Sequence, residues 1–246
     1  MNARRTAAWI CHILLFALLF WTPTALRAGS NNNPASSFPL SEGTYWVYRG
    51  LVRWTHDLNK VSETPVEWRM EVRKRVNRGD LSVAVVNGFL RDLDWSNGNP
   101  TRQDSLIIQS GEGNLYMVGS EKMPIILNGT QDSRDAPEGM PKDDDLFLEL
   151  PLKKGKKFGC DAEAMQRPDS RYCWVVDTLH QTSLREVKGI SHGIRTAYTI
   201  RYVTGPDDIG FSYVSGVGLT TYEYHHHGTV ADTELKLVEF HPGENP

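Results

Sequence analysis

The chain has 246 residues, 39% of them hydrophobic and 23% charged, with 27 Lys and Arg against 30 Asp and Glu and a formal net charge of −3. That length allows one large β-domain or two small ones, with a sizeable apolar core. A mildly acidic surface repels phosphate backbones, and basic stretches such as 73–78 are short and broken by apolar residues, which excludes nucleic acid as the expected partner.

Arg4 and Arg5 precede an apolar run over residues 7–21, and residues 22–28 are small enough to suit a signal peptidase. This order predicts a secretory signal cleaved near Ala28. The run falls short of the roughly 20 apolar residues that a membrane span needs, so no permanent span is expected in the mature chain. Removal of the signal takes Arg4, Arg5, Arg27 and Cys11, leaving 24 basic against 30 acidic residues and a charge of −6. Of the cysteines, Cys160 and Cys173 remain. In an oxidising compartment they are expected to form a disulfide around the polar stretch 161–172, with two free thiols as the alternative. Closing a loop of that size is worth about 3 kcal/mol in the chain-entropy model. No cysteine stands just after the apolar run, so covalent lipid anchoring is not expected, and the predicted location is secreted or periplasmic.

Residues 29–37, Gly-Ser-Asn-Asn-Asn-Pro-Ala-Ser-Ser, lack apolar periodicity and read as a flexible leader. Residues 38–246 read as a single β-rich domain. Val66, Trp68, Met70, Val72 and Val76 alternate with Glu67, Arg69, Glu71, Arg73 and Arg75, the period of a half-buried strand. Further strands are predicted over 81–90, 106–109, 115–118, 146–150, 172–179, 196–203, 211–214, 219–225 and 234–240, most of them bounded by Gly, Pro, Asn or Asp. No segment of the mature chain carries a long helical stripe. The alternation points to an all-β fold built on a curved antiparallel sheet, half-barrel or sandwich-like, with one face wet.

The chain also matches itself. Phe38-Pro39-Leu40-Ser41-Glu42-Gly43-Thr44-Tyr45-Trp46 aligns with Leu150-Pro151-Leu152-Lys153-Lys154-Gly155-Lys156-Lys157-Phe158 at the Pro, Leu, Gly and aromatic positions. Trp68 has a counterpart in Trp174, and Ser110-Gly111-Glu112-Gly113 one in Ser215-Gly216-Val217-Gly218. Similar offsets in the same order suggest two related halves, about 38–149 and 150–246.

Few residues offer chemistry. In a strand, His225 and His227 of the His225-His226-His227 cluster share a face, where two imidazoles and a third ligand would hold a metal ion; solvated histidines at a strand end are the plainer reading. His192, His241 and Glu223 are available as the third ligand, none at a spacing diagnostic of zinc. The acidic runs Asp143-Asp144-Asp145 and Asp207-Asp208 lack the pattern of a calcium loop and read as solvated turns. The pairs Gly111/Gly113 and Gly216/Gly218 lack a third glycine and lead into strands, so they mark bends rather than phosphate cradles. Ser212, in Gly210-Phe211-Ser212-Tyr213-Val214, lacks the closing glycine of a nucleophile elbow. The aromatic residues, Trp46, Tyr48, Trp68, Trp174, Tyr213, Tyr222 and Tyr224 among them, are expected to build a core, with an apolar ligand groove as the alternative.

Taken in order, Phe38 to Tyr48, Tyr172-Cys173-Trp174-Val175-Val176 and Ser215-Gly216-Val217-Gly218-Leu219 with Tyr222-Glu223-Tyr224 resemble uncharacterised exported bacterial cell-envelope proteins, which are distantly similar to lipoprotein-carrier-like half-barrels. The resemblance implies a sheet wrapped around an apolar interior and brings no catalytic residues with it. The expectation is thus an exported, non-enzymatic binding or interaction module without a cofactor, its partner an envelope protein or a hydrophobic ligand. The alternative, a metal-dependent hydrolase using His225 and His227, requires a third ligand and a general acid or base.

Overall fold

The computed structural model describes residues 38–57, 60–78, 81–128 and 141–244. The predicted signal, 1–28, and leader, 29–37, lie outside these residues. The described chain forms twelve strands: β1 (Tyr45–Asp57), β2 (Lys60–Arg78), β3 (Leu81–Asn87), β4 (Asp104–Gln109), β5 (Leu115–Val118), β6 (Leu146–Leu148), β7 (Lys157–Phe158), β8 (Trp174–Ser183), β9 (Ile194–Val203), β10 (Asp207–Val214), β11 (Gly218–His226) and β12 (Ala231–His241). Two short helices, α1 (Met123–Asn128) and α2 (Ala162–Gln166), accompany them.

All twelve strands join in one antiparallel sheet, in the order β6-β5-β4-β3-β2-β1-β12-β11-β10-β9-β8-β7. The chain starts in the middle, runs outward to β6, and returns from the opposite edge until β12 pairs with β1, from Tyr45 opposite His241 to Trp54 opposite Ala231. The edge strands β6 and β7 approach each other, so the sheet comes close to a closed barrel rather than forming the two packed sheets of a sandwich.

Side-chain alternation sorts the two faces. On β1 the concave side carries Trp46, Tyr48 and Val52, all at most 2% exposed, and the convex side carries Arg49 and Arg53. Arg53 bridges Glu63 and Glu234 across three strands at 2.7 and 2.6 Å. The predicted strand around Trp68 is β2, whose alternation breaks at a bulge between Val72 and Lys74. One hydrophobic cluster draws on both six-strand runs, from Trp46 and Met70 to Phe211 and Tyr222. Phe38, ahead of β1, packs against Trp46, Phe147 and Tyr213. The Trp46 indole donates to the Val217 carbonyl at 2.6 Å and the Tyr48 hydroxyl to the Leu219 carbonyl at 2.9 Å, tying the start of β1 to the turn before β11. The aromatic residues therefore fill the concavity as a core. A smaller cluster lies on the other face, where Ile126 of α1 covers Val83, Val85, Leu106 and Ile108.

Two local expectations change. The strand predicted over 81–90 stops at Asn87: Gly88 takes φ +75°, a region closed to most L-residues, and an added Cβ there would lie 2.6 Å from the Arg69 carbonyl oxygen. The chain then leaves the ladder through a 3-10 turn at Leu90–Leu93. Asp207 and Asp208 are not a solvated turn but the first residues of β10. The glycine motifs do mark bends, between β4 and β5 and between β10 and β11. Cys160 and Cys173 form a disulfide, and the stretch between them holds α2, whose first turn is capped by the Asp161 carboxylate accepting from the Ala164 amide at 2.7 Å.

Candidate functional site inside the sheet

The connection between β3 and β4, residues 88–103, lies along the concave face. It enters where the Trp68 indole donates to the Gly88 carbonyl at 2.8 Å, buries Leu90 and Leu93 completely, and reaches Trp54 of β1 through Gly98. Burying two leucines supplies about 3–6 kcal/mol toward holding this plug in place. Between them and the next exposed residue, Trp95, the chain places Asp94 against the strands.

Asp94 is the centre of the polar cluster. The Tyr222 hydroxyl donates to its Oδ2 at 2.6 Å, while Oδ1, shielded from solvent, has no well-aligned hydrogen-bond partner, although the Thr233 side chain stands beside it. Burial pushes the Asp94 carboxyl up to about 7, against the opposing pull of the Tyr222 hydroxyl and the Arg91 charge. The same burial, together with the facing carboxylate, drives Tyr222 well above the ordinary tyrosine value. Next along β11, Tyr224 donates to Asp207 Oδ1 at 2.7 Å, and His226 Nδ1 lies 3.0 Å from the same oxygen. Burial works against the Asp207 charge, but the contacts with His226 and Tyr224 outweigh it and hold this carboxyl below its usual range. The Trp95 ring packs edge-on against His226, 4.5 Å between centroids, and against Tyr224 at 6.3 Å.

Two carboxyl groups of opposite habit thus sit on neighbouring elements, one kept ionised and one able to hold a proton near neutrality. Beside them, Val52, Trp54, Trp95 and Thr233 line a narrow crevice.

The predicted histidine pair is placed otherwise. His225 lies on the convex side of β11, its Nδ1 3.3 Å from Asp232 Oδ1, and His227 falls just past the strand end, where its amide donates to the Pro206 carbonyl at 2.6 Å. The histidine drawn into the cluster is His226. Among the described residues no group of three or more His, Cys, Asp or Glu side chains is arranged to hold a metal ion. The alternation Tyr222, Tyr224, His226 was the signal for this placement, since period two sets all three on one face. Nothing local marks Asp94, whose role depends on the plug crossing the sheet.

No family model matches the chain, and no curated protein matches it either. Two solved structures are similar. One is a Bacteroides fragilis protein described as exported, with a YmcC-like fold: 14% identity, TM-score 0.40, covering 84% of this chain and 99% of that one. The other is a Parabacteroides distasonis protein described as a lipoprotein: 14% identity, TM-score 0.36, covering 83% of this chain and 97% of that one. Both likenesses are too distant to carry a function. Among the described residues no helix is long and apolar enough to cross a membrane.

Proposed function

We propose that the protein is exported to the cell envelope and acts there as a non-enzymatic binding or interaction module. The observation that carries this reading is the filled concavity: Trp46, Tyr48, Tyr213, Tyr222, Leu90 and Leu93 occupy the space in which a carrier would hold a hydrophobic ligand. With the interior taken, binding falls to the outer surface and to the plug, whose Trp95 is 52% exposed. The address rests on the charged and apolar pattern of residues 4–21. The same reading takes the two six-strand runs as related halves, because the matching motifs lead into β1 and β7, place their tryptophans on β2 and β8, and turn between β4 and β5 and between β10 and β11.

Native mass spectrometry of protein recovered from its own envelope tests the proposal. A bare chain, or one bound to another protein, is the expected result. A stoichiometric lipid would replace the module with a carrier. Stoichiometric zinc that is lost on His225→Ala/His227→Ala substitution would replace it with the hydrolase.

A further inference from the structure

Among the described residues two long strand runs pair on one side only: Lys60–Met70 of β2, which carries Lys60, Glu63, Pro65 and Glu67, and the outer edge of β8. β7 covers β8 only at Trp174 and Val175, and the 155–156 turn adds hydrogen bonds to Val176. Past the bulge at Asp177, Thr178 to Ser183 pairs, among the described residues, on one side alone, with β9 from Thr199 down to Ile194. Its free side presents backbone donors and acceptors to solvent, and what satisfies such a row is another extended strand.

Natural edges are commonly protected by lysine, by proline or by covering elements. This edge has none of these within it: Thr178-Leu179-His180-Gln181-Thr182-Ser183 carries no Lys, Arg, Asp, Glu or Pro. On its concave-side face, Leu179 is 42% exposed, and Ile194, paired with Ser183, is 75% exposed. Charge appears only at the two ends, Asp177 at the start and Arg185 just past the finish, with Glu186 one residue further into the returning connection.

From this pattern we infer that β8 is a homodimer edge, the partner being β8 of a second copy paired antiparallel about a two-fold axis. An axis at Gln181 sets that residue against its own copy and Leu179 against Ser183 of the second copy, because facing residues of an antiparallel pair share one face of the sheet. It opposes no like charges along the shared ladder and brings the Asp177 end of each copy beside the Arg185 end of the other. An unrelated peptide would satisfy the same backbone groups. The second copy also supplies the complementary end charges and a matching Leu179 and Ile194, so this edge is its own best complement. The interface is small, and affinity in the micromolar range is its natural scale.

Sedimentation of the exported chain, followed from about 1 to about 200 µM, the span over which so small an interface fills, measures the association. The expected result is a monomer that becomes a dimer across that range, with Gln181→Lys and His180→Lys each weakening dimerisation at least about tenfold, a difference near 1.4 kcal/mol. Each variant must also keep the wild-type unfolding midpoint, since both side chains project from an exposed ribbon. Gln181→Cys, close to the axis, should cross-link two copies under mild oxidation. A chain that stays monomeric throughout the range would overturn the proposal, and so would a dimer that both lysine variants leave unchanged.

Discussion

Asp94 adds a pH-dependent contribution of its own to the stability of the fold. Its carboxyl ordinarily titrates at 3.8 and here reaches about 7, so between those values the folded protein holds a proton that the unfolded chain has lost. Its contribution to stability therefore falls as the pH rises through that window and levels off above 7. Three pH units of displacement correspond to about 4 kcal/mol. Asp94→Asn keeps an acceptor for the Tyr222 hydroxyl and removes the charge. It should unfold at higher denaturant than the wild type at pH 8 and at a similar concentration near pH 4, and a gap that stays constant with pH would remove Asp94 from this role. Tyr222→Phe works in the other direction, leaving the buried Oδ2 without its donor at a cost of about 1–3 kcal/mol, readable in the same unfolding curves. Sequence pattern could place Tyr222, Tyr224 and His226 on one face, since strand alternation alone decides it. It could not find Asp94, because a carboxyl is identified as buried only once the chain segment carrying it is known to cross a core.

At the scale of elements, the plug 88–103 and the disulfide segment 160–173 do the work that regular strands do elsewhere. The run Leu81 to Leu90 reads as one strand because Val83 to Val86 are unbroken apolar sequence and Phe89 and Leu90 follow closely, and a short apolar run does not distinguish a strand buried on both faces from a strand followed by a buried turn. The difference lies in Gly88, whose backbone angle and closeness to Arg69 turn the chain inward. Because Leu93 is fully buried beneath the sheet, Leu93→Ala should cost about 2–5 kcal/mol and raise the solvent quenching of tryptophan fluorescence as Trp95 loosens. The other segment holds the sheet's narrowest strand. β7 contributes two residues, and the Cys160–Cys173 bond fixes the chain between it and β8. Replacing both cysteines by serine should lower unfolding free energy by about 2–4 kcal/mol, measured by urea denaturation, and should raise amide exchange first at Lys157 and Phe158.

The whole molecule is held together by a pairing that no local pattern reveals. Nearly every strand was visible as alternation or as an apolar run between turn residues, yet the order of strands in space depends on β1 meeting β12, residues separated by most of the chain. Local periodicity reports which face of a strand is wet and says nothing of its neighbour. The consequence for stability is testable: a chain ending before Ala231 loses the partner of both β1 and β11 and should show no cooperative thermal transition, whereas a chain ending after Gly243 should keep the full one. Gly243 marks that limit because its amide still donates to Thr44 Oγ1 at 2.9 Å. There is also a consequence in time. During synthesis β1 emerges first and must wait for ten other strands before its central neighbour exists, and long-range pairing of this kind is slow to form. For the export proposed above such a delay is an advantage, because the middle of the chain cannot lock while the remainder is still being made.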